Sequence, residues 1–155
     1  MNSKCRVSLE VAKKLEKSGF PQEEFDAYWL EYFIIKDYGI DSKKVRESLS
    51  PEIKINSRRL KQYETHYLCN EVGTLAVFFY NMYAAPCSGN IGEMLPWTIN
   101  QSGRDYRLEI LKRGDDSLWY ASYRYYTSLI ISVENKSLED CLSLMYIELS
   151  ERGLL

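Results

Sequence analysis

Apolar residues recur at helical spacing near the start of the chain. Leu9, Ala12 and Leu15, with Val11 beside them, form one stripe. Ser8 stands where a side-chain oxygen can accept from a free N–H of the first turn. Lys13, Lys14 and Lys17 lie toward the end, where the helix dipole favours cations. Gly19 and Pro21 then stop the helix, so the pattern predicts a helix over 9–18. Residues 23–38 carry Phe25, Tyr28, Trp29, Tyr32 and Phe33 at i, i+3, i+4, i+7 and i+8, a helix face. The run "YWLEYFII" is also rich in strand formers. The periodicity favours a helix, ended near Gly39.

Val45 and Leu49 suggest a short helix before Pro51, followed by loop. From His66 onward the texture changes to strands. "HYLCNE" and "TLAVFFYN" flank a possible turn at Val72-Gly73. "DYRLEILKR" alternates Tyr106, Leu108 and Ile110 on one face. "RGDDS" reads as a turn and "SLWYASYRYY" as the returning strand, which predicts an antiparallel hairpin of 105–112 with 117–126. "SLIISV" adds a short strand. The last element is a helix from Ser137, with Leu138, Cys141, Leu142, Met145 and Leu149 on its apolar face. Ser137 and Asp140 resemble a capping box, and Gly153 ends the helix. Together these elements predict a single α+β domain over 1–155. A small antiparallel sheet packs against N- and C-terminal helices, with one short helix inserted.

That inserted helix lies in "APCSGNIGEMLP", residues 85–96. Cys87 is a poor phosphatase nucleophile, because the position six residues on is Glu93 rather than a phosphate-binding arginine. A cysteine hydrolase needs a histidine base, and His66 is the chain's one histidine. Gly89-Asn90-Ile91-Gly92 lacks the P-loop and dinucleotide patterns, and no Lys or Arg stands between Pro86 and Trp97. A structural joint uses nearly every residue. Pro86 leads in, Cys87 or Ser88 caps, Ile91, Met94 and Leu95 form an apolar patch, and Pro96 stops the helix.

"YAAPCSGNIGEMLP" resembles a motif of an uncharacterised group of small phage and prophage-type proteins, roughly A-A-P-T-x-x-E-x-x-x-[WM]-L-P. That group tends to open with a helix ending in G-F-P-Q, like Gly19-Phe20-Pro21-Gln22. It tends to close with a pattern that Ser137 to Leu154 follows. The resemblance covers about 8–22, 83–97 and 137–155, and it does not extend over 23–65. Cys87 stands where threonine is usual in the group, and Asn90 where glutamate is usual. Those two usual residues would form a capping box, so the departure implies a frayed or shifted helix start. The resemblance implies an ancestry and a fold but no activity.

Composition changes the picture in three places. The chain has 155 residues, 45% apolar and 27% charged, with a net charge of −2, which speaks against a surface built wholly for polyanions. Thirteen tyrosines suit thin layers or a contact surface. Residues 43–61 hold seven cations, Lys43, Lys44, Arg46, Lys54, Arg58, Arg59 and Lys61, against Glu47 and Glu52. Residues 39–62 therefore read as a basic insertion or irregular segment. Its cations are candidates for contact with nucleic acid or an acidic partner.

The N-terminus lacks the apolar core of a signal peptide, and no run approaches a membrane span. The four cysteines are therefore expected as thiols in the cytoplasm. They form no C-x-x-C pair, so neither a structural metal nor a cofactor is expected. The aromatic run Trp119, Tyr120, Tyr123, Tyr125 and Tyr126 has Arg124 as its one interleaved cation, which favours packing over base stacking. No catalytic set is assembled. The expected function is a non-enzymatic accessory protein of mobile-element type that binds a protein partner or itself. Nucleic-acid binding through 43–61 is the alternative.

Overall fold

The computed structural model describes residues 5–23, 25–55 and 64–155. In chain order the elements are α1 (Leu9–Lys17), β1 (Ala27–Asp37), α2 (Ser42–Ser48), β2 (Glu52–Ile55), β3 (His66–Asn70) and β4 (Gly73–Ala84). They continue with α3 (Ser88–Met94), β5 (Thr98–Gln101), β6 (Arg104–Lys112), β7 (Trp119–Tyr125), β8 (Ser128–Asn135) and α4 (Leu138–Glu151). The fold is α+β, with helices near both ends. It holds two four-stranded antiparallel sheets rather than the one small sheet expected. The chain divides into two compact units, Gln22–Ala84 and Met1–Pro21 with Ala85–Leu155.

In the unit Gln22–Ala84 the sheet order is β2-β1-β4-β3. Here the expected helix over 23–38 is corrected: residues 27–37 are strand β1. The reason lies in arithmetic. Phe25, Trp29 and Phe33 are four apart, which is one helix face but also one strand face, and Tyr28 and Tyr32 occupy the other. In the sheet, Trp29 faces Tyr83 and Phe33 stacks on Phe79, with centroids 5.0 Å apart. Such cross-strand ring pairs stabilise a sheet. α2 supplies Val45 and Leu49, which bury with Leu75 and Ala76 against Tyr32, Leu68 and Phe78. Burying each such aliphatic side chain contributes about 2 kcal/mol. The residues after α2 were expected to be loop, yet Glu52–Ile55 pair with β1 as an edge strand.

In the other unit the sheet order is β5-β6-β7-β8, a meander of hairpins. The predicted pairing of 105–112 with 117–126 is observed as β6 with β7. α4 packs on β7 and β8, and both α1 and α3 pack on α4. Leu15, Ile91, Tyr123, Met145 and Leu149 lie fully buried in this core. The Tyr123 hydroxyl donates to the Pro96 carbonyl, so the largest buried polar side chain is satisfied. Both long helices end in the same motif. Phe20 N–H reaches the Leu15 carbonyl (3.0 Å) and Gly19 N–H the Glu16 carbonyl (3.1 Å). Leu154 and Gly153 repeat this on Leu149 (2.9 Å) and Ser150 (3.0 Å). Gly19 and Gly153 have φ of 83° and 64°, the left-handed geometry that this helix stop needs.

Two caps differ from expectation. Ser137 Oγ accepts from Asp140 N–H (3.2 Å), but the Asp140 carboxylate does not return to Ser137. It accepts from Ser8 N–H (2.7 Å) and so ties the start of α1 to the start of α4. At α3 the helix begins at Ser88, directly after Cys87, without the shift implied by the substituted box. Asn90 Oδ1 accepts from Cys87 N–H (3.1 Å) and from the Cys87 thiol (3.0 Å). Asparagine thus keeps the reciprocal half of the cap.

Candidate binding surface

Alternation along β6 and β7 divides their side chains between two faces. Tyr106, Ala121 and Tyr123 are buried in the core. Arg107, Glu109 and Leu111 take the opposite face, directly across from Arg124, Ser122 and Tyr120. This second face is polar and open. The pairing sets Arg107 straight opposite Arg124. Glu109 holds Arg124 at 3.7 Å, while Arg107 keeps no ion pair among the described residues. Arg104, the first residue of β6 and on the Tyr106 side of the strand, lies 5.8 Å from the centre of the Tyr125 ring. Asp105 accepts from the Asn100 side chain (2.8 Å).

Arg104, Asp105, Arg107, Glu109 and Arg124 line a groove of about 450 Å³ together with Tyr125 and Tyr126. Tyr126 is 86% exposed and has φ of 51°. A left-handed backbone suits glycine or asparagine in a hairpin turn and strains a bulky residue by about 1 kcal/mol. Its ring meets the Tyr125 ring edge-on at 4.8 Å and is otherwise presented outward. A second groove of about 280 Å³ adjoins the first through Arg124. There Arg113 lies 4.3 Å over the Tyr120 ring. The Tyr120 hydroxyl donates to Asp116 Oδ2 (2.6 Å). That hydrogen bond pushes the phenol up to about 12 and holds the Asp116 carboxyl below its ordinary value.

The aromatic run read from sequence is thus split between two roles. Tyr123 belongs to the core, while Tyr120 and Tyr126 belong to the open face. The cations absent from its linear sequence come from across the hairpin. Arg104 and Arg107 were not singled out from sequence. The signal was present, because alternation in "DYRLEILKR" places Arg107 and Glu109 on the polar side and the hairpin register sets Arg124 opposite.

The basic segment looks different. Lys43, Lys44 and Arg46 lie exposed on α2, and Lys54 on β2. Lys43 pairs with Glu47 at 3.9 Å and Lys54 with Glu52 at 3.2 Å. Arg46 donates to its own helix, at the Ser42 carbonyl (3.1 Å). Arg58, Arg59 and Lys61 lie outside the described residues. Glu52 also accepts from the Tyr32 hydroxyl (2.5 Å), and that bond lowers its pKa.

The reactive side chains named from sequence are engaged locally. His66 stacks against Phe78 and Tyr80, with centroids 5.7 and 5.0 Å away. Cys87 belongs to the other unit, with its thiol directed to Asn90. Burial pushes the Cys141 thiol up to about 11, and it donates to the Trp119 carbonyl (3.4 Å). Among the described residues no three His, Cys, Asp or Glu side chains gather as a metal site. No described helix is long and apolar enough to cross a membrane.

No known family, curated protein or solved structure matches this chain. The case for a function therefore rests on the open face itself. What that face can do is bind. Planar guanidiniums and aromatic rings are the groups enriched at protein contact surfaces.

Proposed function

We propose that this is a non-enzymatic binding protein that recognises a protein partner through the open face of the β5–β8 sheet. The observation that carries the reading is Tyr126. It is a large, 86% exposed ring held at a positive φ beside three arginines. Folding alone favours a smaller residue at that turn, so the ring is best explained by what it meets outside the chain. Arginine and tyrosine are enriched at interface hot spots, and serine adds adaptable hydrogen bonding. Ser132 is exposed on the same face, opposite the buried Ser122. The alternation of Asp105, Arg107 and Glu109 along β6 suits a protein surface of mixed charge better than a uniform polyanion. The resemblance to phage-type proteins supports an accessory role in a mobile element.

The test is comparative capture. Wild-type protein, Tyr126→Ala with Arg107→Glu, and a control Lys44→Glu are immobilised, and retained proteins are quantified by mass spectrometry. A partner held by wild type and control but lost from the face variant is the expected result. Equal retention by all three overturns the face as the recognition surface. Turnover of a substrate that disappears in Cys87→Ser or His66→Ala overturns the non-enzymatic reading.

A further inference from the structure

We propose that the groove between Arg104, Arg107 and Arg124 is a carboxylate site, which takes one acidic side chain from an extended segment of another protein. This rests on reading the open face as a protein-binding surface, and it names the chemistry of the partner. The argument begins with register. Arg107 and Arg124 are direct cross-strand neighbours, an arrangement that costs stability when nothing lies between the charges. Glu109 relieves Arg124 from one side at 3.7 Å. Arg107 has no such relief among the described residues. An incoming anion between the two guanidiniums turns the repulsion into two attractions.

Charge balance then selects the anion. Three guanidiniums and the two carboxylates of Asp105 and Glu109 line the groove, which leaves one positive charge in excess. A single carboxylate neutralises that excess. A nucleic-acid backbone adds a charge at every phosphate, and its further phosphates would run against Asp105 and Glu109. Asp105 accepts from Asn100 at 2.8 Å, and Glu109 engages Arg124 at 3.7 Å, so within the groove Arg107 is the guanidinium left for an incoming carboxylate.

Shape agrees. A guanidinium presents parallel N–H donors that match the two oxygens of a carboxylate. Arg104 is steadied over the Tyr125 ring, and Tyr125 in turn lies 6.0 Å from the Tyr106 ring; both Arg104 and Tyr125 line the groove from the Tyr106 side of the sheet, while Arg107 and Arg124 line it from the open face. Tyr126, also in its lining, offers a flat apolar surface to whatever flanks the acidic residue.

The experiment is an amide and arginine-Nε NMR titration of the full chain. The probe is a capped octapeptide with one glutamate flanked by phenylalanine and serines. Comparators are the same peptide with glutamine and a ten-nucleotide oligothymidylate. Expected are shifts confined to residues around Arg104, Arg107, Arg124 and Tyr126. The glutamine peptide and Arg107→Gln should each weaken binding by roughly tenfold or more, the usual loss for a charge-assisted hydrogen bond. Arg107→Lys should fail to restore it fully, because lysine keeps the charge without the fork. Unchanged amide dispersion elsewhere in Arg107→Gln shows that the variant folds.

If neither peptide shifts these residues, the carboxylate site is wrong, while capture by the open face still tests the broader reading. Tighter binding of oligothymidylate at the same residues overturns the proposal in favour of nucleic acid. Shifts of the groove that depend on protein concentration alone overturn it in favour of a second copy of this chain.

Discussion

The two sheets are both four-stranded and antiparallel, yet they use their side chains differently. β1 carries rings on both faces, with Tyr28 and Tyr32 on one and Trp29 and Phe33 on the other. Phe33 and Phe79 stack on one side while Tyr32 meets Phe78 and Tyr80 edge-on across the other. β6 and β7 instead alternate. Tyr106, Ala121 and Tyr123 go inward, and Arg107, Glu109 and Arg124 stay outside. With rings on both faces, β1 commits its first seven residues, Ala27 to Phe33, to packing and leaves only 34–37 exposed. An alternating strand leaves a row of polar groups with little duty in the core, and recognition chemistry can be placed there at small cost to stability.

The strongest way to test this contrast is to truncate an inward and an outward tyrosine of the alternating sheet. Tyr123→Ala should cost about 3–5 kcal/mol, the usual range for removing a fully buried ring. Tyr126→Ala, three residues on, should change stability by less than about 1 kcal/mol. The ring is exposed and alanine keeps the Cβ that strains this left-handed backbone, so the edge contact with Tyr125 is the main thing lost. Urea denaturation followed by circular dichroism measures both. A loss of several kcal/mol from Tyr126→Ala would show that the open face also holds up the fold.

In the other sheet the corresponding test is Leu75→Ala. Leu75 is fully buried in the cluster with Val45 and Leu49. Its truncation should cost about 2–5 kcal/mol. Amide exchange should report the loss in β1 and β4 first, because those strands frame the cluster.

How far the chain could be read follows the same division. The α1 and α4 boundaries were legible, because apolar spacing and left-handed glycines agree there with the packing. The β6–β7 hairpin was legible because its alternation has a single meaning. β1 was not. Spacings of four and eight residues satisfy a helix and a strand alike, and what decides is pairing with β4, a segment some fifty residues away by the separation of Glu31 from Tyr83. The candidate site was half legible. Arg124 and the tyrosines stood out as a run, but Arg104 and Arg107 join them only through hairpin register. The basic segment attracted attention as a local run of charge, yet two of its cations stand beside neighbouring glutamates in exposed pairs.

A smaller effect separates helix capping from both sheets. Asn90→Ala removes the acceptor of Cys87 N–H and should cost about 1 kcal/mol. Asn90→Asp restores an acceptor and should recover the loss. A thermal melt of the two variants beside wild type decides it. If Asn90→Ala leaves the melting temperature unchanged, the cap contributes nothing to α3.

The smallest expected effect is electrostatic and sharpens the description of the open face. Asp116→Asn removes the charged acceptor that does most to raise the Tyr120 phenol, so its titration should fall from about 12 toward the ordinary 10. The sign follows from linkage. A phenol whose folded pKa is raised contributes stability that is fully present below pH 10 and is lost as pH rises through 12. Asp116 behaves oppositely. Its lowered pKa contributes stability above its ordinary 3.8 that is lost as pH falls through the folded value. Between those limits Tyr120 stays neutral and Asp116 stays ionised, so the ring under Arg113 keeps an uncharged hydroxyl throughout the physiological range. Carbon-13 NMR of labelled tyrosine reads the titration directly. A Tyr120 midpoint that does not move in Asp116→Asn would mean that the hydrogen bond is not formed in solution, and that this end of the face is less ordered than the arginine groove.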